Sequence, residues 1–249
     1  MAVRDSLVAP VHRDPLSAAA ALVGHQFARP ALLREALTHR SAVPARVVGR
    51  GRSVSSGGAG SNERLEFIGD RVLGLLIAEW LAERFPAEQE GALGPRLAHL
   101  VSQPAIAAIA EELGLPDLLA VSAGEARAGV RQRATVLADA TEALIGALYL
   151  DGGLAPARAF IRRAWTAAME GMTAPPKDPK TTLQEYLLGR GLPLPSYETL
   201  RSEGPPHDPV FIIAVAAAGA RGEGRAGSKR AAERLAAADL LGQLTGRRA

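Results

Sequence analysis

The stretch Asn62-Glu63-Arg64-Leu65-Glu66-Phe67-Ile68-Gly69-Asp70-Arg71-Val72-Leu73 sets acids among large apolar residues at helical spacing. At about 100° per residue, Glu63, Glu66 and Asp70 fall within roughly 60° of one another. Leu65, Ile68, Val72 and Leu76 occupy the opposite side, and Phe67 and Ile77 flank the acidic stripe. A helix that is apolar on nearly every side is expected to be buried on several faces. Asn62 is the candidate N-cap, and acids in the first turn suit the helix dipole. Carboxylates on such a helix either cap it or face water, or they are held by a cation, because burying an unpaired charge is costly.

Outward from this helix, a second acidic pair lies in Leu137-Ala138-Asp139-Ala140-Thr141-Glu142-Ala143-Leu144-Ile145-Gly146. Asp139 and Glu142 are three residues apart and share a face with Ala143 and Gly146. Leu137, Leu144 and Leu148 take the other side. Small residues beside the acids would let this helix approach the first closely and bring four carboxylates together. Clustered carboxylates repel unless a cation sits among them. Oxygen ligands without His or Cys point to a hard ion, Mg²⁺ with Mn²⁺ as the substitute. Such a site suits hydrolysis of a phosphodiester.

The chain has 249 residues, with 47% hydrophobic and 22% charged, which describes globular protein rather than a disordered one. It contains no cysteine, which excludes disulfides, thiolate catalysis and cysteine-ligated metals and suits a reducing compartment. No basic region followed by an apolar run opens it, and no stretch approaches the length of a membrane span. The expectation is a cytoplasmic protein without membrane association.

Charge is unevenly placed. Residues 1–176 balance at 18 basic and 18 acidic side chains, whereas residues 177–249 carry 11 basic against 8 acidic. The whole net charge of +3 therefore lies at the C-terminal end. That end is either a solvated basic tail or a surface for a polyanion.

Apolar periodicity predicts helix within 15–45, where Leu22, Phe27, Leu32, Leu33 and Leu37 recur, and over Asn62–Phe85. It predicts further helix over about Leu97–Leu113, Val136–Leu150 and Pro156–Met169, with Asp151-Gly152-Gly153 as a stop. The Gly/Ser-rich residues 46–61 read as a flexible surface loop. Thr173-Ala174-Pro175-Pro176-Lys177-Asp178-Pro179 reads as a linker. Beyond it a short helix (Thr182 to Gly189), extended segments near 197–202 and 210–216, a turn-rich glycine segment at 219–227 and a final helix (Ser228 to Leu241) describe a small α+β domain.

The stretch 62–73 closely resembles the signature of the ribonuclease III family. The similarity extends through Glu90-Gly91, through Leu137 to Gly153, and upstream through Ala36-Leu37-Thr38-His39-Arg40-Ser41. The C-terminal part resembles a double-stranded RNA-binding domain in Lys180 to Tyr186, Gly204 to Phe211 and Gly227 to Glu233. The resemblance implies an all-α catalytic domain over 15–153, a terminal helix and linker over 154–177, and an α+β (αβββα) RNA-binding domain over 178–246. It implies an endoribonuclease, working as a homodimer without a small-molecule cofactor, that cuts double-stranded RNA into staggered ends with 5′-phosphate and 3′-hydroxyl termini. Processing of ribosomal, messenger and transfer RNA would be its task. A non-catalytic duplex-RNA binder is the alternative.

Carried over by position, Glu66, Asp139 and Glu142 would hold the metal, with Asp70 and Glu142 as the catalytic pair. Glu63 and Glu90 match auxiliary acids. Gln184, Glu185 and His207 would reach RNA minor grooves, and Lys229 and Arg230 would meet phosphate at a helix start. The apolar face of the signature helix fits either a dimer contact or the unit's own core.

Three features depart from the family pattern. The 46–61 loop is longer than usual, Gly94-Pro95 replaces Ser-Arg with Leu97 in place of an arginine, and Ala226 replaces a glycine. Pro95 is expected to start a helix, and Ala226 to be strained if its φ is positive.

Overall fold

A computed structural model describes residues 15–43, 46–48, 52–54, 60–205 and 209–246. The chain divides into two compact units, Met1–Pro175 and Pro176–Ala249.

Among the described residues the first unit is built from nine α-helices, three short 3₁₀ helices and one small hairpin. The helices are α1 (Pro15–Val23), α2 (Pro30–Ala36), α3 (Glu63–Arg84), α4 (Glu90–Leu100), α5 (Gln103–Glu112), α6 (Ala123–Arg127), α7 (Ala134–Gly152), α8 (Leu154–Ala164) and α9 (Thr166–Gly171). Helix α7 is the central post. Leu137, Ala140, Leu144, Ile145 and Leu148 along it are all buried, and it packs against α2, α3, α5 and α8. Gly153, at φ +77°, ends α7 where the sequence predicts a stop. Residues 154–171 return to the same core, burying Phe160, Ile161, Trp165 and Met169. The indole N–H of Trp165 donates to the Leu100 carbonyl at 2.9 Å, so this large ring is buried with its polar atom satisfied.

Several expectations are corrected. The 15–45 pattern is split at Gly24, whose φ is +69°, and the 97–113 pattern is split at Val101-Ser102. Ser102 accepts from the Ala105 amide and starts α5 afresh. Within the loop read at 46–61, β1 (Arg46–Val48) pairs antiparallel with β2 (Arg52–Val54). The rest of 44–59 lies outside the described residues. Pro95 lies inside α4 and does not start it. The carbonyl it leaves unbonded, four residues back at Gly91, is at an exposed position where water can satisfy it. Its neighbour Arg96 is buried, paired to Glu88 through two bonds of 2.9 and 2.7 Å and donating to the Met172 carbonyl at 2.8 Å.

The second unit comprises α10 (Pro179–Leu188), an antiparallel sheet of β3 (Ser196–Glu203), β4 (Val210–Ala217) and β5 (Ala220–Ala226) in that order, and α11 (Lys229–Thr245). Asp178 caps α10, accepting from the Lys180 amide at 2.9 Å, so the helix begins at the last proline of the predicted linker. Leu183, Leu187, Val215, Ala236 and Leu240 form a core between the two helices and one sheet face.

The glycine segment expected as a turn is strand β5. A Cβ added at Gly222 would lie 2.6 Å from the Ala236 carbonyl oxygen, and one at Gly224 would lie 2.1 Å from that of Ala232. These glycines admit the α11 backbone onto the sheet. Ala226 ends β5 without positive φ, and the expected strain falls instead on Ala218, at φ +53° in the β4–β5 turn.

Candidate metal centre and nucleic-acid interface

Helices α3 and α7 touch along glycine. A Cβ at Gly69 would lie 1.7 Å from the Glu142 carbonyl oxygen, and one at Gly146 would lie 2.2 Å from that of Leu65. Nothing larger than hydrogen fits at either position. The close crossing that small residues at Ala143 and Gly146 predict is therefore present, with Gly69 as its unforeseen counterpart.

Across this crossing, Glu66, Asp139 and Glu142 each offer a carboxylate oxygen within 4.8 Å of the others. Burial and like charge push all three carboxyls up. Glu142 is raised most, to about 7, first by burial and then by Asp70, Glu66 and Asp139. Asp70 stands beside the trio and is bonded to Arg71. Glu63 is also adjacent, raising Glu66 and Asp139 by its charge, and it accepts from the Ser61 hydroxyl at 3.3 Å. Glu90 is exposed at the start of α4 and has no hydrogen bond or ion pair among the described residues.

Asn62 precedes α3, yet its side chain makes no capping bond; the residue is buried, and its backbone N–H donates to the Thr38 carbonyl at 2.9 Å. That bond ties α3 to a strap formed by residues 37–43. Ala120 donates to the Leu37 carbonyl and accepts from the His39 amide. The Arg40 guanidinium lies 3.9 Å from a Glu63 carboxylate oxygen, which sets the strap beside the cluster, and positive charge on His39 or Arg40 lowers the Asp139 carboxyl. The acidic pattern alone does not reveal these two residues, although Thr38 to Ser41 belong to a stretch singled out in the sequence.

The apolar side of α3 opposite the acids is consumed by the unit's own core, with Leu65, Val72 and Leu76 buried. What stays uncovered is Phe67 at 64% exposure and Leu75 at 56%, with the Arg71 guanidinium 4.6 Å above the Phe67 ring.

In the second unit Gln184 and Glu185 are exposed on α10, and Glu185 is bonded to Lys177 at 2.7 Å. Lys229 and Arg230 are exposed in the first turn of α11, unpaired among the described residues, after Ser228 caps the helix by accepting from Ala231. The next turn of α11 is fastened to the start of α10 through Lys180–Glu233 at 2.7 Å and Arg234–Asp178 at 3.2 Å. Paired charges hold the two helices while Lys229 and Arg230 remain available to an anion. His207 lies outside the described residues.

Known proteins agree with this division. Residues 29–168 match the family described as Ribonuclease-III-like, and 179–244 match the double-stranded RNA binding motif. Ribonuclease 3 of Bradyrhizobium diazoefficiens is 44% identical over 92% of this chain and 88% of its own. Ribonuclease 3 of Phenylobacterium zucineum is 47% identical over 88% of this chain and 89% of its own. Among solved structures, the nuclease domain of ribonuclease III from Campylobacter jejuni is 32% identical and superposes with a TM-score of 0.52, covering 61% of this chain and 94% of that one. With an all-helical unit built around an acidic helix crossing, followed by an α+β unit that matches an RNA-binding motif, the chain belongs to the ribonuclease III family.

Proposed function

We propose that this protein is an endoribonuclease that hydrolyses double-stranded RNA with a divalent cation. The observation that carries the reading is the meeting of Glu66, Asp139 and Glu142 oxygens within 4.8 Å, in a chain that also has a unit matching the double-stranded RNA binding motif.

The donor set fits a hard divalent ion. It consists of carboxylate oxygens only, and burial, followed by the charges of Asp70, Glu66 and Asp139, raises Glu142 to about 7, so a cation would relieve a conflict already present. Glu66, Asp139 and Glu142 would hold Mg²⁺ or Mn²⁺, which when bound activates a water and offsets the charge developing on the phosphodiester. Asp70, held by Arg71 beside Glu142, would orient the attacking water. Glu63 and Glu90 would serve as auxiliary acids. Breaking the bond to the 3′ oxygen leaves a 5′-phosphate and a 3′-hydroxyl.

Gln184, Glu185 and His207 would reach the RNA minor grooves, with Lys229 and Arg230 on phosphates between them. Residues 15–153 would form the catalytic domain, 154–177 its terminal helix and linker, and 178–246 the RNA-binding domain. Exposed Phe67 and Leu75 give a second copy an apolar contact beside the acids. A nuclease-domain structure of the Campylobacter jejuni enzyme, similar at a TM-score of 0.51, is described by a region involved in dimer formation. Two protomers would then cut one strand each and leave staggered ends. Precursors of ribosomal and transfer RNA and structured messenger RNAs are the substrates expected in a cytoplasmic setting.

Digestion of a defined RNA duplex with and without Mg²⁺, followed by mapping of both ends, tests the reading. Staggered 5′-phosphate ends made only with the cation are expected. A protein that shifts the duplex but never cuts it, with Mg²⁺ or Mn²⁺, overturns it.

A further inference from the structure

The strap between α2 and α3 holds His39 by one side of its ring. Nδ1 of His39 accepts the Ser41 amide at 3.2 Å and lies 2.8 Å from the Ser41 hydroxyl. That hydroxyl oxygen in turn accepts the Ser122 amide at 3.1 Å, so its own proton is directed to Nδ1. With Nδ1 an acceptor, the proton of the neutral ring resides on Nε2. Nε2 has no partner among the described residues. The backbone of the same residue is fixed by the Ala120 carbonyl, and the residue before it by the Asn62 amide at the head of α3. A half-buried imidazole thus keeps its Nε2–H donor free, on a strap bonded to the head of α3 through Asn62 and reaching Glu63 through Arg40 at 3.9 Å.

A donor placed at the rim of an acidic cluster has little use for the carboxylates once a cation neutralises them. It suits the anion that arrives with the cation. We infer that the Nε2–H of His39 donates to a non-bridging oxygen of the RNA phosphate that enters the acidic cluster, and that Ser41 and Ser122 set the ring for this contact. The inference rests on the nuclease reading above. It makes His39 a catalytic residue by contact, without proton transfer: the bond steadies charge that builds on the phosphate as water adds.

Two amide substitutions divide the ring's functions. Gln places its amide nitrogen near Nε2 and loses the Nδ1 acceptor; Asn places its amide oxygen near Nδ1 and loses the Nε2 donor. On a defined duplex with Mg²⁺, wild type serves as the control for the nuclease reading. If wild type does not cut, that reading fails, and this inference with it. If wild type cuts, H39N is expected to lose roughly 10- to 100-fold in kcat with KM within about threefold. H39Q is expected to rescue most of that loss. Loss in H39Q alone would mean that His39 merely braces the strap, and equal loss in both, or in neither, overturns the donor as well. A readout independent of cutting is the ring tautomer of the metal-free protein by ¹⁵N NMR. The neutral ring is expected as the Nε2–H tautomer, and an Nδ1–H tautomer sinks the assignment.

Discussion

In the first unit Gly69 and Gly146 let two helix backbones meet; in the second, Gly222 and Gly224 let a helix backbone meet a strand. The device is shared, and the charge it organises is opposite. The α3–α7 crossing holds Glu66, Asp139 and Glu142 together against their repulsion. The β5–α11 crossing buries only apolar residues, Ala232, Ala236 and Leu240, and keeps its charges at the rim in pairs. Lys229 and Arg230 are left over, facing solvent. Rigidity in the first unit keeps like charges close enough for a cation to be drawn in. In the second it leaves two cations exposed without any stored conflict. A glycine contact thus decides placement alone, and the side chains around it decide what is bound.

Replacing the glycines is the severest test. Gly69→Ala sets a methyl group 1.7 Å from a backbone carbonyl oxygen, and Gly224→Ala sets one 2.1 Å from another. Neither neighbour is a side chain that can rotate away, so each change should cost about 3 kcal/mol or more. Peptide-resolved hydrogen exchange should show Gly69→Ala opening 63–84 and 134–152 and abolishing cutting, with protection over 196–245 kept. Gly224→Ala should do the converse, weakening duplex binding most at physiological salt. Protection lost across both units from either change would break the picture of two separate crossings.

Titration gives a smaller effect at the first crossing. The Glu142 carboxyl is raised from 4.5 to about 7 in the folded, metal-free protein. Between those values the folded state binds the proton more tightly than the unfolded state. The contribution to stability is complete below about pH 4.5 and is lost as pH rises through about 7. Glu66 and Asp139, also raised, act in the same direction. In chelator, Glu142→Gln should therefore melt higher than wild type at pH 8 and equally at pH 4. The gain should be on the order of 1–2 kcal/mol, allowing for solvent screening of a half-buried group. Mg²⁺ or Mn²⁺ should raise the wild-type Tm at pH 8 and do little for the variant, which would also cut far more slowly. A variant less stable than wild type at pH 8 would mean that the carboxylates are not in conflict.

The two crossings also differ in how legible they are. Helices α3 and α7 can be read from apolar spacing, and the small residues beside Asp139 and Glu142 announce a close approach, because both signals are local to one helix. Gly222 and Gly224 look like a turn for the opposite reason. What requires them is Ala232 and Ala236 on a helix about ten residues later, and a strand packed under a helix leaves no local mark that separates its glycines from those of a loop. The same holds for His39: its ring is set by Ser41 nearby but also by Ser122, some eighty residues away. Phe67 misleads in its own way. Its spacing places it beside the acidic stripe on a helix expected to be buried on several faces, yet it stays uncovered.

The smallest predicted effect lies in the turn that leads into the second crossing. Ala217 pairs with Ala220, so Ala218 and Gly219 form a two-residue hairpin turn, with φ of +53° and +75°. Such a turn needs left-handed backbone at both positions, where Asn-Gly or Gly-Gly is favoured and a Cβ on alanine is crowded. The turn sets the β4–β5 register, and the register places Gly222 and Gly224 beneath α11 and not one residue out of line. Ala218→Asn should relieve the strain at no cost in contacts, because the position lies at the hairpin tip. It should stabilise the protein by about 0.5–1 kcal/mol without altering duplex affinity or cutting. Ala218→Gly should gain less, since glycine also adds entropy to the unfolded chain. A loss of duplex binding in Ala218→Asn would show that the turn itself meets RNA, adding a contact at the far end of the hairpin to the one proposed for Lys229 and Arg230.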